Sequence, residues 1–354
     1  MSGLFLRCLK PLDDRVSVKL LLRVWGPRVE FAVRLLLVAT FLDDSLRAAT
    51  DFSKHTKQVG EQGYLKPLAA TSPELVGGLA TAALGIGLLA QSLGSLCLLA
   101  LVRPDGATKA LIGWAIAQPV LYAQLANVGF VTESLSLVGG LLILRAHHLS
   151  EQAKRDGYES LPLGGGFGVG VCAPDPEAAI ARTQLLGRLL LPAVYLYDAG
   201  AILLGNLVDA QHRTDHSLSM FVVDMAVLVG LVLGCTLVAT GLRSRTVALS
   251  LAFVTFGFNC YQHPFHRFVW REGGEWKYNE VEMRKSVPYV ALPQDISPHD
   301  FESWLIFDLH RYYFFHGLST SGALLLLAQF GPGEIAIEED EVLLSDVQIR
   351  ALHP

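Results

Sequence analysis

One stretch limits the choice of fold more than any other: from Leu75 to Val102 there is no charged residue. As a helix rising ~1.5 Å per residue it outruns the ~30 Å hydrocarbon core of a bilayer. Composition agrees. Only 17% of residues are charged, against about 25% in soluble globular proteins, and the mean hydropathy is +0.40. A large soluble protein with a very apolar core fails on these long uncharged runs, so the chain reads as an all-α polytopic membrane protein. The net charge is −5 and no basic block is present, which gives no sign of nucleic acid. Met1–Leu22 lacks the apolar core of a secretory signal peptide, so insertion is expected to rely on the first spans. Cys8, Cys97, Cys172, Cys235 and Cys260 show no metal or disulfide spacing and read as small hydrophobes.

Two motifs recur. Arg34-Leu-Leu-Leu-Val-Ala-Thr-Phe-Leu-Asp-Asp44 returns 154 positions later as Arg188-Leu-Leu-Leu-Pro-Ala-Val-Tyr-Leu-Tyr-Asp198. In a leucine-rich chain the leucines mean little, and the signal lies in the matching Arg, Ala, aromatic and Asp positions. Leu135-Ser-Leu-Val-Gly-Gly-Leu-Leu-Ile-Leu144 is echoed by Leu318-Ser-Thr-Ser-Gly-Ala-Leu-Leu-Leu-Leu327. The order is the same in each half. The predicted architecture is therefore about eight transmembrane helices as two parallel four-helix repeats, since an even number of helices per repeat preserves direction.

In chain order, residues 1–26 form a basic cytosolic arm, either an amphipathic segment on the membrane surface or a disordered tail. The first repeat, 27–149, has spans near 27–49, 75–102, 110–131 (kinked at Pro119) and 135–149, with Pro27 opening the first helix and a polar loop at 50–72. Residues 150–182 are a Gly/Pro-rich cytosolic linker; its glycine run lacks the Lys-Ser/Thr ending of a phosphate loop. The second repeat, 183–333, has spans near 184–206 (kinked at Pro192), 218–241, 246–261 and 313–330, with a long lumenal loop at 263–312. An acidic cytosolic tail, 334–354, follows.

Short basic turns carry Arg103, Lys109, Arg243 and Arg245, and the positive-inside rule puts them with both termini in the cytosol. Arg34 and Arg188 then fall in cytosolic half-spans, and Asp43, Asp44, Asp198 and Asp224 in lumenal ones. Intramembrane charges cost at least ~2.5 kcal/mol each and should face protein or a wet cavity. Two roles stay open: an acidic binding pocket open to the lumen, or interhelical pairs that fix packing. Asp43 and Asp44 are adjacent, so they point 100° apart around a helix. Histidine gathers on the lumenal side. His212, His216, His263 and His266 are candidates for pH sensing between about pH 7.2 and 6, or plain solvated loop residues. The pairs 212/216 and 263/266 have metal-ligand spacing with nothing to complete a set, so no metal is expected.

These residues resemble the surfeit locus protein 4 family of cargo receptors. The likeness is carried by Arg34-Leu-x-Leu-x-x-Thr40-Phe-Leu-x-Asp44-x-x-Arg47 followed by Gly63-Tyr64-Leu65, by Leu135-x-Leu-x-Gly-Gly-Leu-Leu-x-Leu144, by Gly187-Arg-x-Leu-Leu191 with Asp198, by Phe258-Asn-x-Tyr261, and by Asp308-Leu-x-x-Tyr-x-Phe-Phe315 running on to Gly331-Pro-Gly333. The resemblance implies a multi-spanning protein of the endoplasmic reticulum membrane, cycling to the early Golgi, that loads soluble secretory proteins into coated vesicles. Its partners would be lumenal cargo, COPII-type coat components and membrane lipids. The depth and charge of Asp43, Asp44, Asp198 and Asp224, with Tyr64 beside them in the loop, make these the candidate cargo-binding residues; the family does not itself assign them.

The chain departs from the family through its basic arm, its glycine linker and an insertion at about 267–306. It ends Leu352-His-Pro354, without the dilysine retrieval signal of many members. Glu339-Asp-Glu-Val-Leu343-Leu344 fits an acidic dileucine sorting pattern, or is simply a solvated acidic tail. No nucleophile–base set, metal cluster or cofactor fingerprint is present, so neither catalysis nor a cofactor is expected. The alternatives are a lipid-handling protein or small-solute transporter, and a membrane anchor for a redox partner.

Overall fold

The computed structural model describes residues 18–62, 72–159, 176–212, 218–272, 275–279, 281, 283, 303–333 and 335–336. The helices are α1 (Val18–Thr50), α2 (Phe52–Gln62), α3 (Pro73–Leu99), α4 (Pro104–Leu121), α5 (Val128–Glu159), α6 (Pro176–Leu190), α7 (Ala193–His212), α8 (Leu218–Thr240), α9 (Ser244–Gln262) and α10 (Ser303–Phe330). A hairpin of β1 (Val269–Glu272) and β2 (Glu275–Tyr278) lies between α9 and α10.

Four stretches are long and apolar enough to cross a membrane: Pro73–Leu99, Val128–Ala153, Glu177–Leu204 and Phe221–Thr240. With the helical architecture they make this an all-α membrane protein. The outward faces agree, because Leu89, Leu93 and Leu96 on α3 and Val222, Val223 and Val229 on α8 are exposed. Soluble proteins rarely expose such continuous apolar faces. The remaining long helices carry charge, and several charges of α1 and α10 meet inside the bundle, as described below.

Several boundaries differ from expectation. Pro27 lies inside α1, not at its start; the helix continues through it with one backbone donor missing. The polar loop at 50–72 contains α2, whose Val59 is buried with Ala80 and Leu84 of α3. α4 ends just after Pro119, so this proline closes the helix where a mid-span kink was expected. α5 runs 32 residues, well past its apolar core. The expected kink at Pro192 is a break: Leu191 N–H bonds the Gly187 carbonyl, and the next helix restarts with Leu196 N–H on Pro192. The expected 263–312 loop contains the hairpin and the start of α10, with Phe268, Met283 and Ile306 buried together.

The two motif copies pack crosswise. α1 lies on α10, and α6 and α7 lie on α5; α5 and α10 also touch. On the first side, a Cβ on Gly322 would stand 2.6 Å from the Leu37 backbone nitrogen. On the second, a Cβ on Gly139 would collide with the backbone nitrogen of Leu191. Between them, a Cβ on Gly140 would stand 2.5 Å from that of Ala323. Small residues let these backbones meet, which is how helices associate where lipid removes the hydrophobic drive.

Candidate functional site

Polar side chains concentrate at the bundle end opposite the beginning of α1 and the end of α10. Asp43 and Asp44 sit about two turns before the end of α1, and their 100° divergence sends them to different partners. Asp43 accepts from Arg311 Nε of α10 at 2.7 Å, with Arg311 Nη2 at 2.5 Å. Asp44 accepts from Arg47 Nη2 at 3.0 Å and from Gln118 Nε2 of α4 at 3.2 Å. Arg47 Nη1 continues to Asp308 at 2.6 Å. Both aspartates are buried. The expected open acidic pocket is therefore closed at Asp43 and Asp44 by cations from the same bundle, and the interhelical-pair reading fits their geometry.

The network extends toward α5. Tyr312 donates its hydroxyl to Glu133 Oε2 at 2.9 Å, and its ring stacks on Phe130. His316 lies 3.2 Å from the Glu133 carbonyl. A carbonyl only accepts, so His316 carries its proton on Nε2. Glu133 and His316 had no sequence signal beyond their presence in apolar helices, because the contact that defines them crosses 183 residues.

The other two aspartates stand apart. Asp198 on α7 is exposed and has no ion-pair partner among the described residues. Its neighbour Tyr195 is buried and shares a hydrogen bond with Thr255 of α9 at 2.6 Å, while Tyr197 lies with its hydroxyl against Gly129 of α5. Asp224 is half-buried on α8 between exposed valines. Tyr64, Glu339, Leu343 and Leu344 lie outside the described residues, as do His216 and the side chain of His212.

Of the four histidines singled out in the sequence, His266 is exposed and His263 is buried. They do not pair. His263 Nδ1 instead faces His310 Nδ1 at 3.1 Å and stacks on Tyr313. His310 Nε2 reaches the Met283 carbonyl at 3.1 Å. That carbonyl fixes the tautomers: His310 donates from Nε2, so its Nδ1 is the acceptor and His263 Nδ1 the donor. Burial, and then neighbouring His310, push the His263 pKa down to about 3. His263 is neutral while docked, and it ties the end of α9 to α10. Half-buried His55 on α2 is likewise pushed down, by burial first and then by Arg47. Among the described residues no three His, Cys, Asp or Glu side chains converge as a metal site.

The two arginines of the repeated stretch lie toward the opposite end. Arg34 donates from Nη1 to Glu30 at 2.9 Å. Arg188 is fully buried and reaches the Ile335 carbonyl through Nη2.

The pairs Arg47–Asp308 and Asn259–Phe314 carbonyl (2.7 Å) use motif residues that bear the family resemblance, and the Asp43–Arg311 pair lies between them in the same two stretches. No solved structure matches the chain. The model of the SURF4 family matches residues 19–165, which cover nearly all of α1 and all of α2 to α5. Over residues 19–165, the chain is similar to the SURF4 family.

Proposed function

We propose that this protein is a cargo receptor of the early secretory pathway, binding soluble secretory proteins in the lumen and passing them to COPII-type coated vesicles for transport from the endoplasmic reticulum to the Golgi. The family match over residues 19–165 carries this reading, since likeness to that family suggests a membrane protein of the endoplasmic reticulum. The scaffold would be eight spans in two parallel four-helix repeats, with both termini cytosolic. Gly322 against Leu37 and Gly139 against Leu191 support the repeat, because each glycine holds the same place in its motif and so does each leucine. Gly140 against Ala323, and Glu133 against His316, bring equivalent positions of the two copies together. Self-pairing of equivalent positions is what an internal two-fold axis produces.

Cargo contact then divides among the aspartates differently from a single acidic pocket. Asp43 and Asp44 act as internal struts. Asp198, exposed and without a cation among the described residues, is the aspartate available to a partner, next to half-buried Tyr197; the exposed Trp270 of the hairpin is a second candidate contact. Cells depleted of the protein should retain a defined subset of soluble secretory proteins in the endoplasmic reticulum, released again by re-expression. If depletion retains none, the reading falls. The set of buried Glu133 and His316 with half-buried Tyr312 favours the second reading, a small-solute or lipid-handling pathway. That reading requires flux in liposomes holding this protein alone.

A further inference from the structure

A cavity of about 360 Å³ opens beside the last turns of α5, between the first turns of α6 and the end of α10. Small-molecule sites occupy about 300–1,000 Å³ and are mostly apolar, with a few placed polar groups. This cavity shares no lining residue with the Asp43–Arg311 network at the other end of the bundle.

Its wall on α5 follows the helix period: Ile143, His147 and Glu151 stand four residues apart and share a face. The Phe330 ring lies parallel to His147, 3.5 Å between centroids and 7° between planes, and holds the imidazole in place. On α6, Gln184 donates from Nε2 to the Gly331 carbonyl at 2.9 Å, which ties that wall to the end of α10. Gly333 stands at φ +81°, and a Cβ there would collide with Gln184 Oε1. Buried Ala181 adds apolar surface.

The lining selects among ligands by charge. Glu151 is the one acid among the described lining residues, and none of them is Lys or Arg. An anion would meet a carboxylate with no cation to offset it. A primary ammonium brings three N–H donors that need acceptors. A quaternary ammonium has no N–H, and aromatic rings hold it through their π-faces. The apolar stretch of α5 ends at Ala153, so Glu151 lies at the depth of lipid headgroups.

We propose that this cavity binds a quaternary ammonium group, with the cation against the His147–Phe330 rings and the Glu151 carboxylate balancing its charge. A choline-headed phospholipid presents that group from the membrane, and a soluble choline compound presents the same group from water. The proposal does not rest on the cargo reading, and a failed cargo-retention experiment leaves it intact.

The test is isothermal titration of the full chain, delipidated in a non-ionic detergent, with dihexanoyl phospholipids that differ only in their heads. The choline head should bind about fivefold or more tighter than the ethanolamine and glycerol heads, and Glu151→Gln should remove most of that preference. Ala181→Phe, which fills the cavity, should abolish binding; where it fails to fold, Glu151→Gln decides the matter. Free choline that displaces the lipid supports the site and admits a soluble ligand, whereas selective lipid binding that free choline does not displace supports it as a membrane-fed site. Equal binding of the three heads, or a choline preference unchanged in Glu151→Gln, would overturn the proposal.

Discussion

The contact between α1 and α10 and the contact of α6 and α7 with α5 share a backbone geometry and differ in charge. Both bring a motif glycine against the same leucine position of the partner motif. Both add a serine hydroxyl to a backbone carbonyl, Ser319 to Leu36 at 3.1 Å and Ser136 to Leu191 at 2.8 Å. In the first, Arg34 finds Glu30, Asp43 finds Arg311, and Asp44 finds Arg47 and Gln118. In the second, Arg188 finds a carbonyl, and Asp198 is exposed without a cation among the described residues. Close packing is common to both sides, whereas neutralisation is confined to one. Charges on the neutralised side are structural, and those on the other are free to meet something else.

The largest effect should come from removing a strut. Asp43→Asn leaves Arg311 without its carboxylate and should cost about 3 kcal/mol, read from thermal or denaturant melting in detergent. Asp198→Asn should shift the same melting curve by less than about 0.5 kcal/mol, as surface changes usually do. Equal losses would erase the distinction between the two sides. Next come the glycines. Gly322→Ala and Gly139→Ala should each cost about 1–3 kcal/mol, since each new methyl meets backbone that must move. A tolerated change at one and not the other would break the shared geometry. Smaller again is Ser319→Ala, which removes the hydroxyl bonded to Thr40 Oγ1 at 2.8 Å and should cost about 1 kcal/mol.

A pH effect should show where the end of α9 meets α10, next to the hairpin. The His263 pKa lies below its unfolded value, so the docked state binds fewer protons than the undocked one. Docking is then at full strength above about pH 6.5 and weakens by up to about 1.4 kcal/mol per unit as the pH falls toward 3. Amide exchange of residues 268–278 should quicken in mild acid while that of α3 does not. Exchange that is flat with pH at the hairpin would remove His263 as the tie.

What the sequence disclosed followed the range of the interactions involved. Hydropathy alone placed α3 and α8 within a few residues, because lipid contact is written locally along the helix. Pro192 marked an interruption correctly, though as a kink where the helix in fact breaks. The Gly273-Gly274 pair between aromatic and charged alternation was a legible hairpin signal, passed over because the region read as loop. α2 was missed since its exposed face is polar and only Val59 and its neighbours reach α3. The acids of α1 were legible as costly, but their partners were not: Arg311 lies 268 residues from Asp43, and no periodicity spans that distance. The difference between Glu30 and Gln184, one turn before each arginine, was in plain view and became meaningful only once Arg188 proved fully buried.

The most direct measurement compares rescue of secretion in depleted cells by the wild-type protein and by Asp198→Asn at matched melting temperature and abundance. Soluble proteins retained on depletion should leave the endoplasmic reticulum with wild type and remain there with Asp198→Asn. Full rescue by Asp198→Asn would contradict it.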